Sequence, residues 1–339
     1  MHKKQRNFQK ILANLLFLII FSLAGCAGSN TGEASPVPTW PAITPASPLA
    51  TQPASGNSPH TLSQGLYESC SPSKGEICLN RLEQMAAAGF TVVINYNQLD
   101  ATAAQELAYA QKAHELGMKI IWDMDDPVFR NAGNILRQYQ TLAATCNCSD
   151  DAGFIRYYVN LVKNLPATWG YYIGDEVQSS DQPRLKAFSD YVRGLDPSHP
   201  RLIVQGAISA QSAQDNLTPF VSSADVLGVD FYPVGADDMS IGDTGAIAHT
   251  VQTIADQHNK QAAMVLQAFS WSQYPASSGV CSPYPSCAPF PTEEQMSQMF
   301  NATIQNSTPT LILWYSYYNV IQSNNPRQNW NNLIQAAGL

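Results

Sequence analysis

Two kinds of apolar segment alternate along the chain. Short runs rich in Val, Ile, Leu, Tyr and Trp recur at about 65–68, 91–96, 119–123, 169–174, 201–205, 226–232, 263–269 and 310–315. Between them, apolar positions return every three to four residues, as in LNRLEQMAAAG, ATAAQELAYAQKAHELG, AGFIRYYVNLVKNL, QPRLKAFSDYVRGL, GAIAHTVQTIADQHN, TEEQMSQMFNATIQN and QNWNNLIQAAG. The first pattern predicts buried strands and the second amphipathic helices. Gly89, Gly117, Gly194 and Pro197 punctuate the helical patterns, as helix C-termini prefer.

Strict alternation of near-continuous apolar strands with helices predicts a parallel sheet covered by helices, an α/β fold. Eight such units in residues 61–339 fit a closed (β/α)₈ TIM barrel. The competing arrangement is a doubly wound open sheet. No Gly-rich dinucleotide or phosphate loop follows the first strand, which runs on as LYESCSPSKG. No cofactor is expected.

In a barrel, a functional site is expected at the carboxyl ends of the strands. Those ends carry Glu68, Asn95 and Asn97, Asp123 with Asp125 and Asp126, and Asp175 with Glu176. They continue with Gln205, Asp230 and Tyr232, Gln267 and Trp271, and finally Trp314, Tyr315 and Tyr317. The amino ends are blander: Phe90, Met118, Arg201, Asp225 and Ala262. Acid, amide and aromatic side chains therefore collect at one rim. Such a rim suits a sugar, with aromatic faces against C–H surfaces and acids or amides on hydroxyls. Cleaving a glycosidic bond normally takes two carboxyl groups, one a proton donor and the other a base or nucleophile. Glu176, next to Trp169, Tyr171 and Tyr172, is the expected donor, because aromatic surroundings desolvate a carboxyl and raise its pKa. Asp175 and Asp230 complete the catalytic candidates. Glu68, Asn97, Asp123, Tyr232, Gln267, Trp271, Trp314 and Tyr315 are the expected substrate-binding residues.

The segments GYYIGDEV, SADVLGVDFYPVG, MVLQAFSW and LILWYSYYNV resemble those of the (β/α)₈ glycoside hydrolases, especially the β-galactosidase and cellulase-like clan. The resemblance spans most of 62–339 and implies an acid/base Glu closing strand 4, matched by Glu176. It also implies a nucleophilic Glu closing strand 7, where this chain has Gln267. An amide forms no glycosyl ester. Three outcomes follow: Asp230 or Asp123 takes the second role, the substrate supplies its own nucleophile, or the domain binds carbohydrate without cleaving it.

The ends and the composition set the context. The segment MHKKQRNFQK is basic, an apolar block follows from 11 to 23, and Leu23-Ala24-Gly25-Cys26 matches a bacterial lipobox. Residues 1–25 are expected to be a lipoprotein signal peptide and Cys26 the lipidated residue; an ordinary signal peptide or an anchor helix is the alternative. The Pro, Ser and Thr of 26–60 predict a disordered tether. The domain would then sit on the extracytoplasmic face, held to the membrane by lipid alone. Charged residues are 13% of the chain and the net charge is −8, which argues against nucleic acid. Six further cysteines, Cys70, Cys78, Cys146, Cys148, Cys281 and Cys287, favour disulfides between sequence neighbours outside the cytoplasm. Zinc-ligand spacing is absent, and the acids at 123–126 lack the spacing of a calcium loop, so no metal is expected. The expected partner is a carbohydrate and the expected state a monomer.

Overall fold

The computed structural model describes residues 62–125, 133–236, 238–274 and 289–339. The lipobox with Cys26, the tether, Asp126, Cys281 and Cys287 lie outside the described residues.

Eight parallel strands pair in sequence order and close, β8 returning to β1. They are β1 (Ser63–Glu68), β2 (Val92–Asn95), β3 (Lys119–Asp123), β4 (Thr168–Asp175), β5 (Arg201–Gly206), β6 (Val226–Phe231), β7 (Gln261–Gln267) and β8 (Leu311–Tyr315). A principal helix follows each: α1 (Glu76–Ala87), α2 (Ala103–Glu115), α3 (Asp151–Val162), α4 (Gln182–Leu195), α5 (Ala210–Leu217), α6 (Thr244–Gln257), α7 (Glu293–Asn306) and α8 (Pro326–Ala336). The protein is a (β/α)₈ barrel, as the alternation predicts.

The pleat sorts each strand into two sets of side chains. Val92 and Ile94, Leu202 and Val204, Ala263 and Val265, and Leu311 and Leu313 fill the barrel interior. Their neighbours, among them Val93, Ile203, Met264 and Ile312, face the helices in the larger core. Strands apolar on both faces produce the continuous runs seen in the sequence. Gly65 belongs to this packing, since a Cβ there would strike the backbone oxygen of Val92 closer than 3.0 Å. Thr102 and Thr292 start α2 and α7 with capping boxes closed by Gln105 and Gln295. Gly89 and Gly117 follow α1 and α2 with φ of 95° and 73°. Gly194 does not end its helix: it lies in the last turn of α4, and Asp196 caps it.

Two disulfides join sequence neighbours, Cys70 to Cys78 and Cys146 to Cys148. The first ties the β1–α1 loop to the first turn of α1. Among the described residues, no helix is long and apolar enough to cross a membrane, and no group of three metal-ligating side chains converges.

Candidate functional site

The inward-facing sets of six strands end in polar or aromatic residues, so these side chains meet at the carboxyl mouth: Tyr67, Asp123, Tyr172, Asp230, Gln267 and Tyr315. Tyr96 and Tyr232, each just beyond its strand, pack on the same interior cluster. Five tyrosines make a collar. The Tyr67 ring lies 5.3 Å from those of Tyr96 and Tyr315 and 6.0 Å from that of Tyr172, and Tyr232 lies 5.8 Å from Tyr315.

Three carboxyl groups enter this collar. Asp175 is half-buried at the end of β4 and accepts from the Tyr172 hydroxyl at 2.6 Å and the Tyr96 hydroxyl at 3.4 Å. Its backbone N–H donates to Asp125 Oδ1 at 3.0 Å. A β4 irregularity between Tyr172 and Gly174 breaks the simple alternation just before the acids. Glu176 follows with φ of 48°, a left-handed conformation uncommon outside glycine, and its N–H donates to Val204 O at 2.9 Å. Asp230, 7% exposed, rises from β6.

Glu176 and Asp230 converge over Gly206, the last residue of β5. A Cβ placed there would lie under 3.0 Å from Glu176 Oε1 and 3.4 Å from Asp230 Oδ1. Those two oxygens are therefore close neighbours across the mouth. Glycine at 206 leaves the space that the Glu176 carboxyl occupies.

Burial, followed by the negative charge of Asp175, pushes the Asp230 carboxyl up to about 7, and the Tyr232 hydroxyl opposes the shift. Burial and nearby acids also push the hydroxyls of Tyr67, Tyr96, Tyr172 and Tyr232 well above their ordinary value. They stay neutral O–H donors.

Not every rim residue is open to the mouth. Glu68 follows the inward Tyr67 by one residue, so it points to the helices. There it is 1% exposed, accepts from Ser69 N at 2.6 Å and pairs with Arg81 at 2.9 Å. Burial raises its pKa, and Arg81 offsets part of the shift. Trp314 is fully buried on the outer face, with its Nε1 3.5 Å from Gln64 Oε1 and its ring stacked on Phe300. Neither Glu68 nor Trp314 is placed to meet a substrate in the cleft. The amide of Gln267 accepts from Val234 N at 2.7 Å and donates to Val234 O at 2.9 Å and Phe269 O at 3.1 Å. It is fully buried, so its polar atoms serve the backbone and not a ligand. Asn97 donates to Ser69 O at 3.2 Å in the loop after β2, and Asp123, 1% exposed, accepts from Asp125 N at 3.0 Å beneath the mouth. Trp271 packs on Phe269 at 4.9 Å and on Tyr232 at 6.4 Å, forming one aromatic wall.

The structure adds Tyr67, Tyr96 and Gly206 to the site. The period-two step from Ile94 to Tyr96 and from Val204 to Gly206 was the signal for two of them. The bond from Gln205 to the neighbouring loop has no sequence signature.

No family model matches the sequence, and no curated protein is similar to it in sequence. Several solved structures are similar in fold. A β-galactosidase from the psychrophilic Marinomonas ef1 aligns with a TM-score of 0.56 and 10% identity, covering 81% of this chain and 59% of that one. A xylanase from Thermobacillus composti aligns with a TM-score of 0.51 and 11% identity, covering 81% and 96%. A β-galacturonidase from Eisenbergiella tayi bound to galacturonate aligns with a TM-score of 0.51 and 10% identity, covering 81% and 50%. This chain thus spans about three fifths of the length of the first of these proteins and half that of the third. At these identities the likeness is one of fold alone, that of a (β/α)₈ barrel.

Proposed function

We propose that the protein is a glycoside hydrolase, with Glu176 as general acid/base and Asp230 as the second carboxylate in place of the missing strand-7 Glu. The observation that carries this reading is the convergence of Glu176 and Asp230 over Gly206 at the mouth of the barrel. The glycoside hydrolase barrels of similar fold support the class of reaction. Two neighbouring carboxyl groups of this kind can serve as acid/base and nucleophile in a retaining double displacement. In that course Glu176 protonates the leaving oxygen while Asp230 attacks the anomeric carbon. Water, activated by the ionised Glu176, then cleaves the glycosyl ester, and Glu176 regains its proton. The half-buried rings of Tyr96, Tyr232 and Tyr315 offer faces for a sugar, and the hydroxyls of Tyr172 and Tyr96 hold Asp175, whose charge disfavours a second negative charge at Asp230.

A second reading reverses the roles. The raised pKa of Asp230 favours it as the proton donor, with Glu176 as the nucleophile. One experiment separates the two: hydrolysis of a panel of glycosides by wild type, Glu176→Gln and Asp230→Asn, with alkyl and dinitrophenyl leaving groups. Loss of the acid spares the dinitrophenyl substrates, which leave without a proton. Loss of the nucleophile abolishes both classes. The first reading expects sparing in Glu176→Gln, and sparing in Asp230→Asn instead establishes the second. Equal activity of wild type and Glu176→Gln removes Glu176 from the mechanism. Glycan binding with no hydrolysis makes the protein a non-catalytic carbohydrate-binding barrel.

The setting of this activity is the extracytoplasmic face of a bacterial membrane, with Cys26 as the lipid attachment point. The basic start, the apolar block and the LAGC motif support it, and the Cys70–Cys78 bond is consistent with an oxidising compartment. Metabolic labelling with a fatty acid, expected in wild type and lost in Cys26→Ser, tests it.

A further inference from the structure

Three strands of the barrel end in a buried amide side chain that makes the same pair of bonds. Asn95 of β2 accepts from Cys70 N at 3.2 Å and donates to Cys70 O at 2.7 Å. Gln267 of β7 treats Val234 in the same way, at 2.7 and 2.9 Å. Gln205 of β5, oriented so that its amide is satisfied, donates to Val177 O and accepts from Val177 N, both at 3.2 Å. The three are 0%, 0% and 3% exposed. In each case a single residue two or three positions past the preceding strand has both its N–H and its C=O bonded to one amide. A primary amide carries the same donor and acceptor as a peptide group. Each clamp therefore continues the parallel ladder by one step, after the backbone itself has turned away.

The Gln205 clamp bears on the candidate site. Val177 directly follows Glu176, whose left-handed backbone persists only where its surroundings over-determine it. On one side Glu176 N–H is held by Val204 O, and on the other the next residue is held by Gln205. Both holds come from β5, the strand whose last residue, Gly206, leaves room for the Glu176 carboxyl.

We infer that Gln205 is a positioning residue: its amide clamp on Val177 fixes the backbone of Glu176 and so aims that carboxyl at Asp230. The inference rests on the proposed role of Glu176 for its kinetic consequence only, because the surroundings of the carboxyl are measurable without turnover.

The test compares Gln205→Glu with Asn95→Asp, the equivalent change in the clamp that holds Cys70 and not the neighbour of Glu176. Each variant keeps its shape. Once ionised, the introduced carboxyl still accepts from the backbone N–H but no longer donates to the C=O. Two readouts are taken against pH: the carbon NMR titration of Glu176, assigned by its disappearance in Glu176→Gln, and kcat with KM on a hydrolysed glycoside. Gln205→Glu is expected to move the Glu176 titration and to lower kcat by about 10²-fold near pH 8, the scale of a misplaced catalytic group. KM should change little, and kcat should recover towards wild type at lower pH, as the introduced carboxyl regains its proton and its donor. Asn95→Asp should leave both readouts in place even where it lowers the melting temperature. Equal effects of the two variants, or an unmoved Glu176 titration in Gln205→Glu, would overturn the inference. Should wild type hydrolyse no glycoside, the glycosidase reading fails, while the NMR arm still decides whether the clamp aims Glu176.

Discussion

Asp230 shows what it costs to hold an acid at the bottom of an aromatic collar. Its carboxyl is held up to about 7, chiefly by burial and then by the charge of Asp175. The unfolded chain releases that proton near pH 4. Between those values the folded protein binds a proton that the unfolded chain has lost, so stability from this group is present at low pH and falls as pH rises towards 7. Asp230→Asn should therefore gain on wild type as pH increases. Thermal melts at pH 4 and pH 8 are expected to show the difference in melting temperature shifting by several degrees in the variant's favour; a difference independent of pH would contradict the assigned cause. Residue by residue, the sequence marked the right neighbourhood but not the direction of each side chain. Glu68 and Trp314 each stand one position from an inward tyrosine, Tyr67 and Tyr315, and that single step turns them onto the helices. Asp175 and Glu176 follow a strand irregularity that no alternation rule anticipates.

The elements were legible because each strand is apolar on both faces and each helix on one. The expected runs differ from the observed strands by one or two residues at most ends, the usual imprecision of boundaries where a strand frays into its loop. The loops were harder to read, because their geometry depends on partners distant in sequence. Cys70 is held by Asn95 from the next strand and by Cys78 from the following helix. Cross-linking residues eight apart removes about 2.5 kcal/mol of chain entropy from the unfolded state. Replacing both Cys70 and Cys78 by Ala should lower the melting temperature by several degrees. Little change in kcat on a hydrolysed glycoside is expected, since both cysteines are buried in the core between the strands and the helices. An unchanged melting temperature would show that the loop is held by the Asn95 clamp and packing alone.

At the scale of the whole molecule, the barrel brings together groups from strands far apart in the chain. The proton donor candidate comes from β4, its partner from β6, the space between them from β5, and the collar from β1, β2, β4, β6 and β8. Such a convergence follows from closure of the sheet and could be anticipated from the alternation of elements. The meeting point over Gly206 could not, because it depends on the tilt and register of three strands. That glycine also offers the most direct test of the account. A methyl group at 206 would collide with the end of the Glu176 side chain, which can swing aside cheaply, and so displace the carboxyl while leaving the fold intact. Measured on a glycoside that wild type hydrolyses, Gly206→Ala is predicted to lower kcat by about 10²-fold with a nearly unchanged melting temperature. A Gly206→Ala protein as active as wild type would contradict the claim that Glu176, placed over Gly206 and facing Asp230, carries the reaction.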